Sequence, residues 1–210
     1  MTDTELELAQ LLCTRLCHDL AGPIGAVAAG VELIGGDPAA ADTETLGLIG
    51  SSSQAASLKL KFIRAVMGSA GAAMDMEALL DGYLGATAGM DGKPAVRWPA
   101  PAAFEGFAGA AGSQWRQTIL NLCLAALEMQ PGCKELAVTA DGRTVKIEAK
   151  GHAARSTARR DDLEAAVMGA HKALSAKTIQ AFMAGRIVRA AGGTVQVAAK
   201  DGAVDVIASF

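Results

Sequence analysis

Residues 4–34 read TELELAQLLCTRLCHDLAGPIGAVAAGVELI, and this stretch predicts one long amphipathic helix. Leucines recur every four residues from Leu8 to Leu20, and apolar residues continue the same face to Ile34. A spacing of three to four residues is typical of a helix with one buried side. Residues 35–38, GGDP, predict the end of this helix, because glycine favours the C-terminal cap and proline cannot continue a helix.

A second helical pattern runs from Thr43 to Met67. Its apolar face consists of Leu46, Ile49, Ala56, Leu60, Ile63 and Met67. The short connection between the two helices predicts an antiparallel hairpin. A hairpin with one apolar stripe on each helix cannot bury both stripes by itself. We therefore expect a second copy of the chain to complete a four-helix bundle by two-fold symmetry, giving a homodimer.

The chain changes character after residues 68–71, GSAG, which we interpret as a linker between domains 1–70 and 71–210. Helical patterns in the second half cover residues 74–84, 113–129, 161–168 and 175–191. Strand patterns cover residues 95–98, 135–139, 144–149, 194–198 and 204–208. Because these elements follow no regular βαβ repeat, the predicted fold class is α+β, with a helical hairpin followed by an α/β sandwich.

Composition excludes several classes of function. The chain has 210 residues and a net charge of -3, without the basic excess that nucleic-acid binding requires. The most apolar stretch, Ala21–Ile34, is interrupted by Glu32 and is shorter than the roughly 20 residues of a membrane span. The first residues are acidic, which argues against a signal peptide. We expect a cytoplasmic protein that uses neither a membrane nor nucleic acid as a partner.

Cys13, Cys17 and His18 lie close together in the first helix and raise the question of a metal site. A closed zinc site needs about four ligands, and the sequence offers no plausible fourth. Two cysteines one helical turn apart on an apolar stripe are expected to pack as small hydrophobic residues. We therefore predict that the chain holds no metal.

His18 is the residue of this helix with the most unusual position and neighbours. At about 100° per residue it lies about 200° from Leu16, and so on the side facing water. Small residues share that side and leave room for a second protein. Pro23 removes a backbone hydrogen bond inside the helix. A helix that is irregular beside an exposed histidine favours a functional role for that histidine, although an inert surface residue stays possible.

The motif Leu16-Cys17-His18-Asp19, followed by Pro23, resembles the phosphoacceptor box of histidine kinases and histidine phosphotransferases. Because the pKa of a free histidine side chain is about 6.5, a good fraction of imidazole is neutral at cellular pH and can attack phosphorus through one ring nitrogen. The Asp19 carboxylate is expected to hold the other ring N–H, as an orienting group or general base.

The second half resembles the ATP-binding domain of histidine kinases without its nucleotide contacts. Residues 117–126, QTILNLCLAA, match the kinase pattern Q-x-L-x-N-L-x-x-N-A, but Ala125 replaces the asparagine that holds magnesium. Ala149 replaces the aspartate that reads adenine, and residues 171–176, HKALSA, lack the glycines of the phosphate-binding lid. Residues 186–195 still match the helix-to-hairpin segment of the kinases.

The whole chain resembles the ChpT-like histidine phosphotransferases of alphaproteobacteria. This resemblance implies a dimerising hairpin, a degenerate ATPase-like domain and a phosphoryl group that passes through His18. The implied partners are receiver domains of a hybrid kinase and of cell-cycle response regulators, which would supply Mg²⁺, and no ATP would bind. The candidate docking residues are Leu11, Thr14, Arg15, Gly22 and Gly25. Two alternatives remain: an ATP-dependent kinase with an atypical nucleotide site, and a dimeric receiver-binding scaffold without catalysis.

Overall fold

The computed structural model describes residues 3–36, 39, 41–68, 75–88, 92–152, 158–171 and 174–210. It begins with helix α1 (Asp3–Gly36) and helix α2 (Thr43–Met67), which pack against each other as the predicted hairpin. Asp42 caps α2 by accepting a 2.7 Å hydrogen bond from the Thr45 backbone N–H. The predicted stop at residues 37–38 and most of the predicted linker lie outside the described residues.

The two helices approach closely at Gly30. A Cβ at this position would lie 2.5 Å from Cγ1 of Ile49 on α2, so glycine is what permits this spacing. Further along, however, the two stripes are only partly covered. Ile24 and Val31 on α1 and Leu46 on α2 are each more than half exposed in the single chain. This exposure agrees with the expectation that one hairpin cannot bury both of its apolar stripes by itself.

The remaining elements form the predicted α+β half. They are α3 (Met76–Thr87), β1 (Ala95–Arg97), α4 (Glu105–Ala111), α5 (Trp115–Met129), β2 (Cys133–Asp141), β3 (Thr144–Gly151), α6 (Ala158–Val167), α7 (Ile179–Ala190), β4 (Thr194–Lys200) and β5 (Ala203–Ser209). The described strands form one sheet in the order β1-β2-β3-β5-β4, with β1 parallel to β2 and the other pairs antiparallel. Alternate residues of β3 and β5 are buried, as expected when helices cover one face of a sheet.

Several boundaries differ from the sequence prediction. The final helix begins at Ile179 rather than at Ser175, because residues 175–178 form a turn in which the Thr178 hydroxyl accepts a hydrogen bond from the Ser175 N–H. Helix α4 and the short 3-10 helix before it, Pro101–Phe104, were not predicted, since their alanines and glycines give a weak periodic signal. Both predicted hairpin turns are present, with Gly142 and Gly202 at positive φ.

Helix α5 lies at the centre of the molecule, and its residues from Gln117 to Ala126 are all buried. One hydrophobic cluster joins α5, the buried face of the sheet and helix α7 to Leu8 of α1 and Phe62 of α2. The hairpin and the second half therefore share a core across the predicted domain boundary at residue 70.

Helix α1 is also long and apolar. By length and composition alone, residues Thr4–Gly36 are sufficient to cross a membrane, although the most apolar stretch, Ala21–Ile34, is shorter than a span. The apolar side chains of α1 are already partly used in the contact with α2 and the shared core.

Candidate functional site

His18 projects from the middle of α1 into solvent, with 82% of its side chain exposed. Thr14, Gly22 and Gly25 are also exposed, and a Cβ added at either glycine would meet nothing within 4 Å. The surface beside His18 is therefore shallow and open to a second molecule. Leu11 packs partly against the core, and Arg15 is engaged within the chain, so these two candidate docking residues are less accessible than we expected.

The His18 ring contacts Asp19. Nδ1 of His18 lies 3.3 Å from Oδ1 of Asp19. When Nδ1 carries the proton, it donates to this carboxylate, and Nε2 keeps its lone pair and faces solvent. This arrangement is the one that a nucleophilic imidazole requires, with one nitrogen held and the other free.

Asp19 is itself held by a chain of charged groups. Nε of Arg15 donates to Oδ2 of Asp19 at 2.7 Å, and a terminal nitrogen of Arg15 donates to Oε1 of Glu128. Glu128 lies near the end of α5, so this contact joins the histidine-bearing helix to the second half of the chain. Sequence reasoning missed Glu128, although it is the one charged residue between Gln117 and Met129.

Burial governs the ionisation of these groups. Burial raises the pKa of Glu128, and the positive charge of Arg15 acts in the opposite direction. Burial alone would lower the pKa of Arg15, but the carboxylates of Glu128 and Asp19 outweigh it, and the pKa is raised. Burial, with the negative charges of Asp19 and Glu128, also raises the pKa of Tyr83, which stacks on Phe62 at 4.2 Å between ring centroids. Tyr83 therefore stays a neutral phenol beside the carboxylates.

Pro23 has a local consequence for the same residues. Because proline lacks an N–H, the carbonyl of Asp19 loses its usual helical donor four residues on. Nζ of Lys59, on α2, donates to this carbonyl at 3.4 Å. Helix α1 continues through Pro23 to Gly36. Lys59 thus places a cation beside the histidine-bearing turn, and sequence reasoning did not identify it.

The motif that resembles the kinase asparagine box has a structural role here. The side-chain amides of Gln117 and Asn121 donate to the Val66 carbonyl at 3.0 and 2.9 Å, and Gln117 also donates to the Gly68 carbonyl. These carbonyls belong to the end of α2, where a helix leaves acceptors unpaired. Gln180 of α7 donates in turn to Oδ1 of Asn121. The polar residues of this motif therefore tie the hairpin to α5 and α7.

Two positions that the kinase resemblance aligns with nucleotide contacts are filled by core residues. Ala125 and Ala149 are fully buried in the hydrophobic cluster. Of the segment that replaces the lid, residues 172 and 173 lie outside the described residues. Within the described ranges, no group of three or more His, Cys, Asp or Glu side chains is placed to hold a metal ion. Cys13 and Cys17 are exposed rather than packed in the single chain, contrary to our expectation.

Known proteins resemble this chain in sequence and in fold. A model of the histidine phosphotransferase C-terminal domain matches residues 73–203. The chain belongs to this histidine phosphotransferase family. Over 73 residues it is 42% identical to protein phosphotransferase ChpT of Brucella abortus (strain 2308), an alignment that covers 35% of this chain and 34% of that protein. The chain thus aligns with about a third of the length of this relative.

A solved structure supports the same fold. The protein described as "1.7 Angstrom Structure of a Bacterial Phosphotransferase" has a TM-score of 0.73 and 24% identity, over 100% of this chain and 98% of that chain. At this identity the likeness shows the fold alone. Together the matches confirm the family resemblance predicted from the sequence motifs, and they confirm the mixed α+β architecture of this histidine phosphotransferase.

Proposed function

We propose that this member of the histidine phosphotransferase family carries a phosphoryl group on Nε2 of His18, between receiver domains. The observation that carries the proposal is the exposed His18 ring, whose Nδ1 lies beside Asp19 while Nε2 is open to solvent. The donor is the phosphoaspartate of a hybrid kinase receiver, and the acceptors are aspartates of response regulators, including regulators of the cell cycle. The reaction belongs in the cytoplasm.

The transfer step needs little from this chain beyond positioning. Nε2 attacks the phosphorus of the receiver's acyl phosphate, the N–P bond forms, and the receiver carboxylate leaves with the electrons of the broken O–P bond. The proton stays on Nδ1, where the Asp19 carboxylate stabilises the cation that the ring becomes. The receiver supplies Mg²⁺, and the reverse step on a second receiver regenerates neutral His18.

The proposal that no ATP is used is supported by the buried Ala125 and Ala149, which replace the magnesium-binding and adenine-reading side chains of a kinase. Phosphotransfer profiling tests both parts of the proposal. The wild-type chain is incubated with ³²P-phosphorylated receiver domains of the host, and separately with Mg²⁺ and γ-³²P-ATP. We expect label to reach the chain from at least one receiver within minutes and none from ATP. Label from ATP, with micromolar ATP binding by calorimetry, would establish a kinase instead.

We also propose that two copies pair through the hairpin into a four-helix bundle. Ile24, Val31 and Leu46 supply the exposed apolar side chains that such a contact would bury. Cys13 and Cys17 lie on the same side of α1 as Ile24 by helical angle, and pairing would cover them too.

The pairing predicts that Ile24→Glu produces a monomer, because a carboxylate would be buried at the contact without a partner. Sedimentation analysis at micromolar concentration measures this change. Met168→Glu is the matched control, since Met168 is equally exposed but lies in the second half of the chain. We expect the control to stay dimeric. A wild-type chain that sediments as a monomer would contradict the bundle.

A further inference from the structure

The ion pair between Arg15 and Glu128 joins two parts of the chain that are 113 residues apart in sequence. Both side chains are largely withdrawn from water, with 14% of Arg15 and 8% of Glu128 exposed. A buried ion pair adds little net stability compared with an apolar pair of similar size, because both charges lose their hydration. Its presence beside the histidine-bearing turn therefore calls for a role other than stability.

Arg15 connects this pair to the reactive residue. Its guanidinium is planar and rigid, so the contact with Glu128 fixes the plane in which Nε meets Oδ2 of Asp19. With Oδ2 occupied, Oδ1 is the oxygen that remains for Nδ1 of His18. Each group in the series Glu128, Arg15, Asp19 and His18 thus restricts the orientation of the next.

We infer that Glu128 is a positioning residue for His18, and that it orients the imidazole from the second half of the chain through Arg15 and Asp19. The inference rests on the proposed function, since it concerns the same phosphoryl transfer. It assigns the second half of the chain a part in catalysis that needs no nucleotide. It also accounts for the withdrawal of Arg15 from the surface on which a receiver would dock.

Two variants test the inference. Glu128→Gln keeps an acceptor in place but removes the charge that holds Arg15. The double variant Arg15→Met with Glu128→Leu removes both charges and leaves an apolar contact, which protects the fold from an unpaired buried charge. Glu135→Gln is the control, because Glu135 pairs with Arg97 on the sheet, at 2.7 Å, away from this series. Thermal unfolding establishes that each variant is folded before transfer is measured.

Two readouts separate positioning from docking. Rapid-quench transfer from a phosphorylated receiver gives the rate constant at saturation and the receiver concentration at half-saturation. ¹⁵N NMR of the His18 ring reports which nitrogen carries the proton. We expect both variants to lower the rate constant about tenfold or more, with an unchanged half-saturating concentration. We also expect the Nδ1 and Nε2 shifts of His18 to move toward those of a free imidazole. The control should match the wild type in both measurements.

Three other outcomes would overturn either the inference or the proposed function. If the wild type accepts phosphate but both folded variants keep its rate constant and its His18 ¹⁵N shifts, the inference is overturned and the proposed function stands. A raised half-saturating concentration with an unchanged rate constant would also overturn it, since Glu128 would then act on docking. A wild type that accepts no phosphate from any receiver would instead remove the proposed function itself.

Discussion

His18→Ala is expected to reduce phosphoryl acceptance from a phosphorylated receiver to the background of the assay. No other side chain can take over, because the reaction needs a nucleophilic nitrogen at this point on the docking surface. Since 82% of the His18 side chain is exposed, its removal should change the free energy of unfolding by no more than about 0.5 kcal/mol. The variant should therefore remain folded and dimeric, and a rapid-quench assay with ³²P-labelled receiver measures the loss.

His152→Ala provides the matched control. His152 is also exposed. Its backbone carbonyl accepts a hydrogen bond from the Gln130 side chain, and this bond does not depend on the His152 side chain. This variant should accept phosphate at the wild-type rate. If His18→Ala accepted phosphate as fast as His152→Ala, His18 would be an inert surface residue and the proposed site would be wrong.

Gly185→Ala is expected to destabilise the chain by about 3 kcal/mol or more. A Cβ at this position would lie 1.8 Å from the carbonyl oxygen of Val167, so α7 and the end of α6 would have to separate. Nη1 of Arg189 donates to the same carbonyl at 2.8 Å, and the separation would break this bond as well. Both helices pack on α5, which carries Glu128.

Urea unfolding of Gly185→Ala measures this loss against Gly109→Ala. Gly109 lies in α4, and a Cβ there would meet nothing within 4 Å. The control should be stabilised slightly, by about 0.5–1 kcal/mol, because alanine favours a helix more than glycine does. Equal unfolding midpoints for the two variants would show that α6 and α7 do not pack as described.

Long periodic segments were the most predictable part of the fold. The bounds of α2 match the prediction, and those of α1 differ by one residue at its start and two at its end, because the apolar spacing continues over many turns. Helix α4 was missed, since a seven-residue segment with three alanines and two glycines has little periodicity. Hairpin turns were found through Gly142 and Gly202, where a local conformational requirement is visible in the sequence.

The candidate site was predictable only in its local part. The exposure of His18 followed from helical geometry, and the contact with Asp19 followed from adjacency in sequence. Glu128 could not be placed, because no local rule connects it to Arg15 across 113 residues. Likewise, the pattern indicated that one hairpin could not bury both stripes, but it did not show that Ile24 and Val31 are among the positions that α2 leaves uncovered. Periodicity identifies a buried side of a helix without identifying what buries it.

The position of the phosphoryl group on the wild-type chain tests the central proposal most directly. After reaction with a phosphorylated receiver, the chain is digested at neutral pH, because phosphohistidine is labile in acid, and fragmented by electron transfer in a mass spectrometer. We predict one phosphorylated residue, His18. Phosphate on His152 or His171, or on a carboxylate, with none on His18, would contradict the account.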